Sequence, residues 1–294
     1  MPRPSLQRAR GNTPDGDFVE LDWLDGAGPL VVLLHGLEGS SASHYVQGLL
    51  GEIAAQGWRA VVLNFRSCGG ELNRLPRLYH SGDTADLDWL VSRLTASEPD
   101  ARLALVGVSL GANVVLKWLG ERGEETPASV MGAVAISTPF DLAACAAALD
   151  RGLPRLLYTA HFLRTMKAKI RAKADQLGGR VDIGAVLRAR TFAEYDRRLT
   201  APLHGFVDER DYWARSSSRG YLARIRRPCL LINAVNDPFI PAQSLPRAEV
   251  AASPWLRAAF PAEGGHAGFL DGPAGRRSWA ERRAVEFVRG LAGA

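Results

Sequence analysis

Apolar residues fall along this chain in two alternating rhythms. Short, mostly apolar runs bounded by Gly, Ser, Asn or Asp occur at residues 29–34, 59–65, 103–106, 130–136 and 228–233. A continuous run of that kind suits a parallel strand covered on both faces. Between the runs lie stretches with apolar residues at helical spacing. One covers about 44–56, a second follows Asp83 and carries Leu87, Leu90, Val91 and Leu94, and a third places Leu110, Val114, Leu116 and Trp118 on a helix after residue 109. Residues 18–23 instead alternate apolar and polar, which predicts an edge strand with one solvated face. A helix from about Gln243, a short strand at 255–260 and a terminal helix from about Gly275 to Leu291 complete the pattern. Strands alternating with helices at this spacing imply βαβ units, hence an α/β fold with a mostly parallel central sheet and helices on both faces.

The alternation lapses between residues 142 and 227, which carry helical spacing and no strong strand candidate. This divides the chain into a flexible Pro/Arg/Gly-rich N-terminal arm at 1–16, an α/β core at 17–141 and 228–294, and a helical cap insertion at 142–227. Within the cap, residues 154–170 place Leu156, Ala160, Leu163, Met166 or Lys167, and Ile170 near one helical face with Arg and Lys elsewhere. Such a helix packs on its own domain with a solvated basic face, or makes transient contact with an anionic membrane surface.

Composition narrows the reading further. The chain has 294 residues, 47% of them hydrophobic, enough for one large core. The net charge of +5 is uneven: residues 141–225 hold 16 Lys/Arg against 9 Asp/Glu. Bulk charge concentrated in the cap gives no dense nucleic-acid patch. The three cysteines, Cys68, Cys145 and Cys229, are odd in number and far apart, so neither a disulfide framework nor a zinc spacing is visible. No apolar h-region follows the N-terminal arginines, and no run reaches membrane-span length. A cytoplasmic protein without metal or cofactor is expected. Oligomeric state is not legible.

The candidate chemistry lies in the loops after the strands, where open parallel sheets place their active sites. Gly107-Val108-Ser109-Leu110-Gly111 is a G-x-S-x-G pattern between a strand and a helix. It fits a nucleophile elbow, a strained turn that projects the serine hydroxyl off the sheet. Serine needs a base to take its proton, and the base needs a carboxylate to orient it. Asp237 follows the 228–233 strand, and His266 stands in Gly264-Gly265-His266-Ala267-Gly268 after the last strand. Ser109, Asp237 and His266 therefore form the candidate triad, in the chain order this elbow predicts. The backbone N–H groups of Leu37 and Leu110 are the candidate oxyanion donors, and His35 is read as a structural hydrogen-bonding residue. No H-E-x-x-H or P-loop pattern is present, and dehalogenation would need a carboxylate at 109.

Several stretches together carry a family. His35-Gly-Leu-Glu-Gly-Ser40, Asn64-Phe-Arg-Ser-Cys-Gly-Gly-Glu71, Tyr79-His-Ser-Gly-Asp-Thr-Ala-Asp86, the elbow through Asn113, Thr138-Pro-Phe-Asp-Leu142 and Gly264-Gly-His-Ala-Gly-Phe269 resemble the YheT/EMB8-like α/β-hydrolases, the AB-hydrolase-4 group. The resemblance runs from about Thr13 to Val288. It implies an α/β-hydrolase fold and a carboxylic ester hydrolase using Ser109, Asp237 and His266 on acyl esters, in some relatives lipids. Ser67 and Ala112 stand where the family usually has Gly, a difference of local loop shape. Arg66, His80 and Asp83 belong to the family stretches. His80 and Asp83 either shape the site or cap the following helix, and the structural role is favoured. The reading is thus a serine esterase for short or medium acyl esters. Thioester hydrolysis or acyl transfer on the same triad, or a non-catalytic binding protein of this fold, are the alternatives.

Overall fold

The computed structural model describes residues 4–271 and 277–293. The expected start of the terminal helix at 275 lies outside the described residues. Eight strands form the main sheet: β1 (Gln7–Asn12), β2 (Phe18–Leu24), β3 (Ala27–Leu34), β4 (Trp58–Asn64), β5 (Leu103–Val108), β6 (Val130–Ile136), β7 (Cys229–Ile232) and β8 (Leu256–Ala259). Their spatial order is β1-β2-β4-β3-β5-β6-β7-β8. The first two pairings are antiparallel and all others parallel.

The uninterrupted apolar runs have the cause that the pattern implies. Along β3, Leu30, Val32 and Leu34 enter one core while Val31 and Leu33 enter the other. On the first face lie α2 (Ala85–Ser97) and α3 (Leu110–Arg122), with Leu87, Leu90, Val114, Val115 and Trp118 packed inward. On the second lie α1 (His44–Ala55) and the C-terminal helix Trp279–Ala292, contributing Leu49, Leu50, Ile53, Ala284, Val285 and Val288. A strand buried on both faces cannot alternate, so it reads as a block.

Two expectations at the N-terminus are corrected. The arm expected at 1–16 is not loose over residues 7–12, where β1 pairs with β2 from Gln7↔Trp23 to Asn12↔Phe18. Nor is β2 the edge strand with a solvated face, because β1 covers its free side and most of it is buried. Its polar residues are accommodated by ion pairs. Arg8 bonds Asp22 at 2.7 Å and Glu20 at 3.0 Å. The helix expected from Gln243 is a 3₁₀ turn, Ala242–Ser244, followed by Arg247–Ala252. A two-stranded ribbon, Leu270–Asp271 with Arg277–Ser278, was not expected.

Between β6 and β7 the described chain has helices and no strand. These include α4 (Leu142–Leu149), capped by the Asp141 carboxylate at Ala144 N, and the helices Ala160–Ala172 and Glu209–Ser216. Arg155–Thr159 and Asp196–Thr200 are π-helical turns. The first changes the expected amphipathic face. A π turn inserts extra chain into the helical repeat and shifts its phase. Leu163 and Ile170 are buried, whereas Leu156 points outward and is 71% exposed, so the expected single face does not exist.

Candidate active site

Ser109 sits between β5 and α3 at φ 53°, a left-handed conformation that costs a side-chain-bearing residue about 1–3 kcal/mol. The turn persists because its neighbours leave no other path. Ser109 N–H donates to Ile136 O of the adjacent strand at 2.8 Å, and Asn113 N–H donates back to Ser109 O at 3.1 Å. The glycines two positions away are needed for close approach. A Cβ on Gly107 would lie 2.5 Å from Gly111 O, and one on Gly111 would strike Leu34 O and come within 2.6 Å of His35 O. Strand and helix touch there backbone to backbone.

The structure brings the three distant candidates together. Ser109 Oγ lies 3.0 Å from His266 Nε2, and His266 Nδ1 lies 2.8 Å from Asp237 Oδ2. The Asp237 side chain is wholly buried, and its other oxygen accepts the Phe239 N–H at 2.8 Å. A carboxylate fixed from both sides holds the imidazole with its proton on Nδ1, leaving Nε2 free to accept from serine. The Phe239 ring stacks on His266 at 4.2 Å between centroids, restricting ring rotation. The His266 loop is anchored at Asn236, whose Oδ1 accepts the Gly264 and Gly265 N–H groups, and at Ser137, whose Oγ accepts the Ala267 N–H.

The two candidate oxyanion donors border the same cavity as Ser109. Gly36 N–H donates to Tyr45 Oη at 2.9 Å, and Glu38 N–H to Tyr79 Oη at 2.8 Å. The intervening Leu37 N–H is left without a protein acceptor among the described residues. Leu110 is the first residue of α3, where helix N–H groups are unpaired and the dipole favours negative charge. Glu38 also accepts from Tyr79 Oη and from Lys169 Nζ at 2.7 Å, which ties the Leu37 loop to the Ala160–Ala172 helix.

The family-stretch residues have structural surroundings. His35 is fully buried. Its Nε2 accepts the Phe65 N–H at 3.0 Å and its Nδ1 donates to Gly36 O at 2.7 Å, and burial lowers its pKa to about 4, so it stays neutral. His80 is packed against His204, Phe206 and Tyr212, with its pKa lowered by burial to about 3. Asp83 pairs with Arg77. Neither caps α2, whose N-cap residue is Thr84. Arg66 is buried among Asp15, Asp17 and Asp86. Ser67, in place of the family's Gly, adopts φ 65°, which explains why glycine suits that position, and its hydroxyl holds Asn73 by two hydrogen bonds.

The cavity beside Ser109 and His266 has a volume of about 340 Å³. Its walls are chiefly apolar: Leu142, Ala146 and Leu149 of α4, with Phe162, Phe192 and Phe239. Sequence reasoning missed Asp196, a buried carboxyl on this wall that accepts from Thr200 Oγ1 at 2.7 Å and Trp213 Nε1 at 2.9 Å. Burial raises its pKa to about 7. No local pattern marks it: Thr200 belongs to the same turn, but Trp213 comes from a separate helix brought against it only by folding.

Comparisons with known proteins give the family and the fold. The family profile described as alpha/beta hydrolase fold matches residues 29–273. YheT of Escherichia coli strain K12 is 36% identical over 283 residues, covering 94% of this chain and 82% of that protein. The phospholipase ABHD3 of Mus musculus is 30% identical over 290 residues, covering 95% of this chain and 70% of its own. Among solved structures, the esterase Pf2001 of Pyrococcus furiosus superposes with a TM-score of 0.62 at 17% identity, covering 97% of this chain and 92% of that one, a likeness of fold. The chain therefore belongs to the α/β-hydrolase fold family, within the YheT/EMB8-like group that its motifs resemble.

Proposed function

We propose that this protein is a serine esterase that cleaves short- or medium-chain acyl esters through an acyl-enzyme. One observation carries the reading: the continuous hydrogen-bonded path from Ser109 Oγ through His266 to the buried Asp237 carboxylate. In this mechanism His266 Nε2 takes the Ser109 proton as Oγ attacks the acyl carbonyl, and the imidazolium is stabilised by Asp237. The oxyanion is received by the Leu37 and Leu110 N–H groups, each worth about 2.7–4 kcal/mol in a comparable site. His266 then protonates the leaving alcohol, and water, activated by the same imidazole, releases the acid.

The substrate class rests on the walls of the cavity. Its volume of about 340 Å³ is near the low end of the roughly 300–1,000 Å³ usual for small-molecule sites. An apolar lining of that size suits a modest acyl chain and offers no cationic clamp for a charged leaving group. The phospholipase relative adds support for ester substrates of lipid origin. A fluorophosphonate probe tests the nucleophile: wild type is labelled and Ser109→Ala is not. Equal labelling of the two refutes the mechanism. A chromogenic ester series of increasing chain length, run on both proteins, then reads the acyl preference.

A further inference from the structure

Large apolar side chains exposed to solvent are few among the described residues. Leu72, Val207 and Leu270 stand apart in sequence, whereas Leu153, Leu156, Leu157 and Tyr158 form one contiguous patch. Leu153 is 65% exposed, Leu156 71% and Leu157 54%. Three of its four residues lie in the π turn Arg155–Thr159 and face outward, while Leu163 and Ile170 of the next helix go inward. It also adjoins the mouth of the site. The Tyr158 ring meets Phe239 at 4.6 Å, and Phe239 is the ring stacked on His266.

The charge along this segment is of one sign. Residues 151–173 contain seven Lys/Arg and no Asp or Glu. Lys169 and Lys173 are occupied internally, at Glu38 and at Asn73. Arg151, Arg155, Arg164 and Arg171 make no ion pair among the described residues. The adjacent Asp150 accepts the Phe192 and Ala193 N–H groups and lies within electrostatic reach of Arg155, without forming an ion pair with it. Leucines flanked by arginines that hold no ion-pair partner among the described residues complement a surface that is apolar within and anionic at its face. A second copy of the chain is a poorer fit, since a two-fold contact would set the arginines against one another.

We propose that residues 153–158, with Arg151, Arg155 and Arg164, dock the protein on an anionic phospholipid bilayer and set the mouth of the Ser109 cavity against it. The docking surface goes beyond the esterase reading and is tested apart from it. Wild type should pellet with vesicles of phosphatidylcholine mixed with phosphatidylglycerol, much less with phosphatidylcholine alone, and added salt should release it. Leu156→Asp/Leu157→Asp should weaken that partition by at least about tenfold. Arg155→Gln/Arg164→Gln should weaken it by roughly 25-fold, about fivefold per charge. None of these side chains lines the cavity, so both variants should hydrolyse a water-soluble short ester at the wild-type rate, which also shows that they fold. Equal partition of wild type onto the two vesicle types, no binding to either, or full binding by Leu156→Asp/Leu157→Asp overturns the proposal. So does a wild-type dimer that the same variant splits into monomers, which would assign the patch to self-association.

Discussion

Replacing Arg66 by methionine offers a severe test of how the N-terminal strands are held to the core. Its guanidinium is 2% exposed and contacts three carboxylates. Methionine keeps much of the volume and removes the charge. The loss is unequal among the partners. Asp17 would retain the Asn73 side chain and the N–H groups of Phe18, Arg74 and Leu75. Asp15 would retain Thr13 and Arg77. Asp86 receives hydrogen bonds from Arg66 Nε at 2.9 Å and Nη2 at 2.6 Å, and it would be left buried without them. Removing one partner of a buried pair costs about 3–5 kcal/mol, and the surviving donors of Asp15 and Asp17 favour the lower figure. At about 2 °C per kcal/mol for a chain of this size, the melting temperature should fall by roughly 6–10 °C. The pH dependence has a definite sign. Burial already holds the Asp86 pKa above its ordinary value, and losing Arg66, which lowers it, raises it further. A carboxyl with a raised folded pKa destabilises the fold increasingly as pH climbs above its unfolded value of about 3.9. The deficit of Arg66→Met relative to wild type should therefore be widest near neutrality and shrink on acidification. Arg66→Met/Asp86→Leu should recover part of the loss. Differential scanning fluorimetry across pH reads all three. A neutral-pH shift below about 2 °C, or a deficit that widens in acid, refutes the reasoning.

Gly111→Ala should abolish fluorophosphonate labelling and lower the melting temperature, because its methyl would meet the Leu34 and His35 carbonyls, backbone atoms that cannot swing aside; wild-type labelling would contradict the close approach of β3 and α3. Asp237→Asn should leave the fold intact and lower kcat by about 10⁴-fold, the cost of holding the imidazole in the wrong tautomer in a comparable triad. Steady-state hydrolysis of a short chromogenic ester measures it, and a loss below about tenfold would show that Asp237 does not orient His266.

Features that mark their own residues were legible in the sequence, and those imposed by a pairing partner or by a change of helical period were not. The β3 and β5 runs announce buried parallel strands because both faces of each are covered. The Gly107–Gly111 spacing announces the elbow because backbone contact demands glycine there. The Asp237 and His266 loops were found because both follow strands whose carboxyl ends meet at one crevice. β1 escaped notice because its six residues are mostly exposed and polar, and what makes it a strand is the ladder it forms with β2. The same pairing misled the reading of β2, since Glu20 and Asp22 are buried through Arg8 and not turned to solvent. In the helical segment the π turns broke the assumed period, so Leu156 and Leu163 were placed on one face that folding separates. Asp196 could not be found at all, as its neighbours Thr200 and Trp213 acquire meaning only in three dimensions.

The Lys169–Glu38 bond has a consequence for anyone recombining this scaffold. It joins the segment that walls the cavity to the turn that presents the Leu37 amide, and Cys68 lies against the same ammonium at 3.1 Å. A chimaera that imports another relative's helices without a cation at this point would alter the acyl wall and also release the amide from its register. Selectivity and turnover would then shift together, and a kinetic comparison of such hybrids would misattribute to substrate fit what is a slackened hinge in the catalytic frame.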